Sequence, residues 1–179
     1  PGQDYNGPIE VQVSVTDGNE TDSTSFTLIV NPVNDAPVIG TLSDGITDED
    51  TDFILTLTGS DVDGDDLTYF AQVDGNGSAV VDGTTLTVSP SSDFNGDITV
   101  TVTVSDGQSN DVSTFILTVN PVNDAPIISS IADQAIDEDS SLTLELSASD
   151  VDSSELVFSA TNGNAIITID GTTLTVVPG

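Results

Sequence analysis

The sequence predicts an all-β protein of tandem seven-stranded Greek-key β-sandwiches arranged end to end. Three observations predict it. The apolar runs alternate with period two, as in Ile98-Thr99-Val100-Thr101-Val102-Thr103-Val104, which gives a strand one buried face. No stretch carries a helical period. The chain also repeats itself: Asn31-Pro32-Val33-Asn34-Asp35-Ala36-Pro37 returns as Asn120-Pro121-Val122-Asn123-Asp124-Ala125-Pro126, and 120 − 31 gives a period of 89.

The same offset relates Asp48-Glu49-Asp50 to Asp137-Glu138-Asp139, Ser60-Asp61-Val62-Asp63 to Ser149-Asp150-Val151-Asp152, and Asp4-Tyr5-Asn6-Gly7 to Asp93-Phe94-Asn95-Gly96. One residue is lost before Asp170-Gly171-Thr172-Thr173-Leu174, which follows Asp82-Gly83-Thr84-Thr85-Leu86 at 88. The linkers then divide the chain in three. Residues 1–33 are strands F and G of one repeat, 34–122 a complete repeat, and 123–179 strands A to E of a further one.

In the complete repeat, strand A is expected over Val38–Leu42, B over Phe53–Thr58, C over Leu67–Val73 and D over Ser78–Val81. E follows over Thr84–Val88, F over Ile98–Val104 and G over Val112–Val119. Asp82-Gly83 reads as a two-residue hairpin turn between D and E. The alternation points Phe53, Leu55, Leu57, Leu67, Tyr69, Leu86, Val88, Val100, Val102, Val104, Phe115, Leu117 and Val119 inward, and Thr99, Thr101 and Thr103 toward water. Seven short strands in one repeat make a two-sheet sandwich.

Charge narrows the chemistry. There are 31 Asp and Glu, no Lys, Arg or His, and a formal charge of −31. No side chain can neutralise a phosphate, so nucleic acid is excluded as a partner. Without His, Lys or Cys, the usual bases and nucleophiles of an enzyme are missing, as are disulfides and zinc ligands. A mean hydropathy of +0.06 argues against disorder. No apolar run is long enough for a transmembrane helix, and Pro1-Gly2-Gln3-Asp4 does not open a signal peptide, so no membrane insertion is expected. Of the metals, only a hard, oxygen-seeking cation such as Ca2+ suits this composition.

Strand count assigns the loops to ends. The BC, DE and FG turns share one end with the N-terminal linker; the AB, CD and EF turns share the other with the C-terminal linker. Acidic residues from separate segments therefore converge on each seam between repeats. Two unit charges 4 Å apart repel by about 4 kcal/mol at an effective dielectric near 20. With no basic partner, a cation is the natural relief. The Asn-Asp-Ala-Pro linkers, the Asp-x-Asp BC turn, the Asp-Gly after strand F and the acidic AB turn together resemble the tandem cadherin-like repeats of large bacterial surface proteins.

That resemblance implies calcium at both seams, one to three ions each. One set is Asp4, Asn34, Asp35, Asp61, Asp63 and Asp106, with Asp65 and Asp66 in the same turn. The other is Asp48, Glu49, Asp50, Asp93, Asn123, Asp124, Asp150 and Asp152. It also implies a calcium-rigidified stalk or spacer on an extracellular bacterial adhesin or surface fibre. Its partners would be neighbouring repeats or copies, with any cell-surface or glycan ligand elsewhere in the parent protein. The linker is shorter than the animal cadherin pattern, and the Asp-Arg-Glu motif is absent.

Competing readings lack support in the residues. Asp61 to Asp66 is no EF-hand loop: Gly64 falls at the fourth position rather than the sixth, and Gln72 stands where the loop's final Glu belongs. Paired carboxylates alone do not make a glycosidase without a cleft and substrate-positioning aromatics. The Thr face is ordinary for exposed strands. Tyr5 and Phe94 read as aromatics plugging the end of a sandwich, and Glu10, Glu20, Asp22 and Asp111 as solvated acids. An alternative function is a filament subunit whose split terminal repeat is completed by a neighbouring copy. A third, a carbohydrate- or partner-binding module, fits poorly with 4% aromatic residues.

Overall fold

The computed structural model describes residues 4–162 and 164–179. They fall in two compact units, one ending at Asn120 and one running from Pro121 to Gly179. In the first, β1 is Gly7–Thr16, β2 Thr21–Val30, β3 Val38–Ile39, β4 Gly45–Asp48, β5 Phe53–Thr56 and β6 Gly59–Ser60. Then follow β7 Thr68–Val73, β8 Gly77–Asp82, β9 Thr85–Pro90, β10 Gly96–Ser105 and β11 Asn110–Asn120. No helix occurs among the described residues.

Residues 38–120 form two sheets. One has the order β4-β11-β10-β7; the other has β5-β9-β8, with β3 paired to β6. β5 and β6 belong to one run, because Leu57 N–H donates to Thr84 O at 2.7 Å between them. Alternation supplies the core, as expected. Ile98, Val100 and Val102 of β10 and Phe115, Leu117 and Val119 of β11 share one buried cluster with Leu57, Leu86 and Val88, and Val104 of β10 is buried as well. Phe53 and Phe115 meet at 6.0 Å with rings tilted 46°, within the favourable aromatic range. The opposite face of β10 is half-buried at Thr99, Thr101 and Thr103 rather than fully in water.

Strand A departs from expectation by dividing. Its first part, β3, pairs antiparallel with β6, and its second, β4, crosses to the other sheet and runs parallel to β11. Leu42 between them packs on the core. Both ends of the crossing require glycine: a Cβ on Gly40 would stand 2.0 Å from Thr58 Oγ1, and one on Gly45 2.5 Å from the Phe53 ring. The D–E turn is also displaced by one residue. Asp82 pairs with Thr85, so Gly83-Thr84 form the loop.

The first unit also contains the β1–β2 hairpin, paired from Gly7↔Val30 to Thr16↔Thr21. It repeats β10–β11, yet its apolar face is largely exposed from Val13 to Leu28 and only half-buried at Ile9 and Val11. Phe26 is 55% exposed where its counterpart Phe115 is 3% exposed.

The second unit holds β12 Ile127–Ile128, β13 Leu142–Glu145, β14 Ala148–Ser149, β15 Ala165–Asp170 and β16 Thr173–Pro178. Their sheets are β13-β16-β15 and β12-β14, the counterparts of strands A, B, D and E. The expected strand C does not form: residues 155–162 carry no strand, and neither do 134–137, the counterpart of β4. In the complete repeat β7 pairs with β10 and β4 with β11. Residues 121–179 include no equivalent of β10 or β11, so both segments lack a ladder partner within their unit.

Candidate metal centre

At one end of the complete repeat, three segments meet: the linker Asn34-Asp35, the turn after β6, and the turn between β10 and β11. The first turn is built around Asp61, whose Oδ1 accepts N–H bonds from Asp63 at 2.8 Å and Gly64 at 3.1 Å. These bonds curl the loop so that Asp61, Asp63 and Asp65 each offer an oxygen within 4.8 Å of the others. Asp63 Oδ2 accepts the N–H of Asp35 at 2.8 Å, which draws in the linker. Asp106 Oδ1 accepts N–H bonds from Gln108 and Ser109, both at 2.6 Å, and its Oδ2 accepts Asn34 Nδ2 at 2.9 Å. Asn34 Oδ1 in turn accepts Gln108 Nε2 at 2.7 Å. Asn34 thus ties the linker to the β10–β11 turn with both ends of its amide.

The electrostatics divide this group. Desolvation first, and then the nearby charges of Asp4, Asp63 and Asp61, hold the Asp35 carboxyl above its ordinary range. Asp65 is raised likewise by desolvation and then by Asp61, Asp63, Asp106 and Asp66. Asp106 is lowered, chiefly by the N–H of Ser109 and then by Asn34 and Gln108. Asp4, Asp35, Asp61, Asp63 and Asp65 therefore gather negative charge that nothing in the protein neutralises. Asp61 Oδ2 is buried and has no hydrogen-bond partner among the described residues. A desolvated carboxylate oxygen costs free energy unless it meets a donor or a cation. Carboxylate oxygens at this separation are the donor set of a hard divalent ion, and calcium accepts six to eight of them in flexible geometry. The residues fit that ion.

Of the sequence-predicted residues for this seam, Asp4, Asn34, Asp35, Asp61, Asp63 and Asp106 all belong to this group. Asp65 ranks with Asp61 and Asp63, and the signal for it is the Asp-x-Asp-x-Asp alternation of the turn. Gln108 and Ser109 act on Asn34 and Asp106 and carried no signal of their own. Asp111 is not the solvated acid expected: its carboxylate accepts the Ile39 N–H at 2.9 Å and holds β3 beside β11.

The other predicted set lies in two places. At the far end of the complete repeat, Asp48 Oδ1 accepts Asn120 Nδ2 at 3.2 Å, and Glu49 N–H donates to Asn120 O at 2.9 Å. Glu49 is 4% exposed. Asp93 N–H donates to Asp50 Oδ1 at 3.3 Å. Asp50 and Asp93 are both left-handed, at φ 56° and 57°, as are their repeat partners Asp139 and Asp4 at 61° and 63°. Aspartate tolerates that region better than most residues. Phe94 beside Asp93 packs against the core, and Tyr5 donates to Pro8 O at 2.8 Å; Tyr5 itself is exposed. In the second unit, Asp124 N–H donates to Asp152 Oδ2 at 2.6 Å and Asp152 N–H to Asp150 Oδ1 at 2.9 Å. This is the Asp35–Asp63–Asp61 arrangement one period later, with Asn123 Nδ2 bonded to Asp124 O.

The fold and these turns define an Ig-like, cadherin-like β-sandwich domain. Residues 34–120 match the bacterial Ig domain family. A chitinase A of Pseudoalteromonas piscicida is 32% identical over 108 residues, 56% of this chain and 13% of that protein. The chain therefore spans only a small part of that relative. Among solved structures, a human protocadherin-24 fragment of domains EC1-2 superposes with a TM-score of 0.50 at 19% identity, over 82% of this chain and 78% of that one. At that identity the likeness concerns the fold.

Proposed function

We propose that this chain is a non-catalytic spacer of a bacterial extracellular or surface protein, whose consecutive Ig-like repeats are stiffened by calcium at their seams. Three parts make it up: residues 1–33, the complete repeat 34–122, and 123–179. The observation that carries the reading is Asp61 Oδ2, buried and without a partner among the described residues, inside an uncompensated group of carboxylates. Asp4, Asp35, Asp61, Asp63 and Asp65 would hold the ion, with Asn34 and Asp106 ordering the linker beside them. When bound, calcium supplies positive charge that ties the linker to the turns, and the chain's own part is to present those oxygens on a closed sandwich. By the 89-residue period, Asp93, Asn123, Asp124, Asp150 and Asp152 stand where Asp4, Asn34, Asp35, Asp61 and Asp63 stand in the first set. We assign them, with Asp48, Glu49 and Asp50, the same role.

Repeats that contact only their neighbours form a quasi-one-dimensional array. With the seams locked, each repeat adds roughly 40 Å of rod, from strands of about eight residues at about 3.3 Å each plus loops. Small-angle scattering with calcium and with chelator tests this, alongside calorimetric titration of calcium. Calcium is expected to lengthen the particle and bind stoichiometrically, and Asp61→Asn to remove the share of both effects that its own seam supplies while the second set keeps its share. Unchanged scattering on chelation, or no heat of binding, would overturn the reading.

A further inference from the structure

The linker beside the carboxylates is held by amides as well as by charge, and we propose that Gln108 is a positioning residue for the ion site. With Asn34 and Asp106 it clasps the linker to the β10–β11 turn without an ion, so that Asp35 is in place before calcium binds. The positioning rests on the calcium reading; the clasp itself does not. Asn34 Nδ2 donates to Asp35 O at 2.7 Å and to Asp106 Oδ2 at 2.9 Å, with Ser109 Oγ at 3.4 Å. The two nearer partners can only accept, so that side of the amide is its NH2 group. Oδ1 is thereby turned to Gln108, whose Nε2 donates to it at 2.7 Å. These bonds join segments 72 and 74 positions apart.

The turn forms without the Gln108 side chain. One period earlier, Asp17 Oδ1 accepts the N–H groups of Asn19 and Glu20 at 2.9 and 2.8 Å, with Asn19 in the place of Gln108. The main chain and one aspartate close both turns, and the exposed Gln108 amide is left for the linker. Asp106 is settled by the same network. N–H donors from Gln108, Ser109 and Asn34 satisfy its carboxylate and favour the ionised form. That separates it from Asp35 and Asp65, which desolvation and neighbouring carboxylates oppose. A cation is drawn to the opposed group, while Asn34 and Asp106 serve as hydrogen-bonded anchors. Gln108 and Asn34 also line one cavity with Asp63 and Asp65, so the clasp borders the carboxylates it positions. A site already ordered binds without the cost of ordering, and apparent affinity scales with the fraction of chain that is competent.

Gln108→Met keeps the side chain's length and removes its donor. In the full chain in chelator, nitrogen NMR should find the Asn34 side-chain NH2 group rigid in the parent and mobile in the variant. Calcium titration followed at the Gly64 amide, which bonds Asp61 Oδ1, reads this seam. The variant should need about two- to tenfold more calcium, the factor that one net hydrogen bond carries. Its melting midpoint in chelator should match the parent's within a few degrees, because Gln108 is exposed. A larger fall would assign Gln108 to the fold and overturn its positioning role. An Asn34 amide that stays mobile in the parent until calcium is added would overturn the clasp. Equal calcium response in parent and variant would overturn the positioning of the ion site. If calcium moves no resonance in either protein, the spacer reading fails and the positioning with it, while the spectra in chelator still decide the clasp.

Discussion

Phe115 and Phe26 are one residue type at one repeat position in two environments, so truncating each to alanine isolates the effect of the opposite sheet. Phe115 is 3% exposed and Phe26 55%. A phenylalanine buries on the order of 200 Å2 when enclosed. The difference in exposure therefore amounts to roughly 100 Å2, or about 2.5 kcal/mol at about 25 cal/mol per Å2. The cavity left against Phe53 and Leu57 adds to this, which brings Phe115→Ala to about 3–5 kcal/mol. For a domain of this size about 1 kcal/mol moves the melting midpoint by about 4–8 °C. Phe115→Ala should thus lower the midpoint of the complete repeat by more than about 10 °C, and Phe26→Ala should leave it within a few degrees. Calorimetry on dilute protein reads both directly. Equal shifts would refute the reasoning, because they would mean that the opposite sheet contributes nothing to the cost.

Two further predictions concern acid and backbone crowding. Asp106 titrates below its ordinary range, so its contribution to stability is complete above the unfolded value and is lost as pH falls through the depressed folded value. Asp35 and Asp65 titrate above theirs, so they destabilise the fold above the raised value and cease to do so below the unfolded one. In chelator, urea unfolding should therefore show stability rising as pH drops from neutral toward the ordinary Asp value of 3.8 and falling only below it. Calcium should flatten the rise by holding the same groups ionised; a steady loss of stability from neutrality downward would contradict this. Gly40→Ala places a Cβ 2.9 Å from the Thr58 carbonyl oxygen, a backbone atom that cannot rotate away. It should cost about 1–3 kcal/mol as overpacking, and a midpoint equal to the parent's would argue against the strand crossing described above.

Period-two alternation and the 89-residue period reach far, because both are local or additive properties of the chain. They suffice for the strands, the inward set from Phe53 to Val119, and the convergence of Asp61, Asp63 and Asp106 on the linker. Alternation states which face is buried without naming the partner strand. It therefore leaves open that strand A divides at Gly40 and Gly45, since each glycine is crowded by an atom of the next strand, Thr58 and Phe53 respectively. The same holds for Asp111, whose carboxylate meets a backbone N–H 72 positions away.

Burial of the repeated apolar faces is likewise a tertiary matter. Ile98 to Leu117 become a core because the sheet carrying Leu86 and Val88 lies over them, which alternation along the strand does not state. Strand C shows this from the backbone side: Leu67–Val73 and its counterpart near Leu156 read alike, but a strand exists only where another strand accepts its hydrogen bonds. Composition alone determined that the protein carries uncompensated negative charge and no soft ligand. The folded turn decided which oxygen, Asp61 Oδ2, is withdrawn from water without a partner, because desolvation depends on what surrounds an atom in space rather than on its neighbours in the chain.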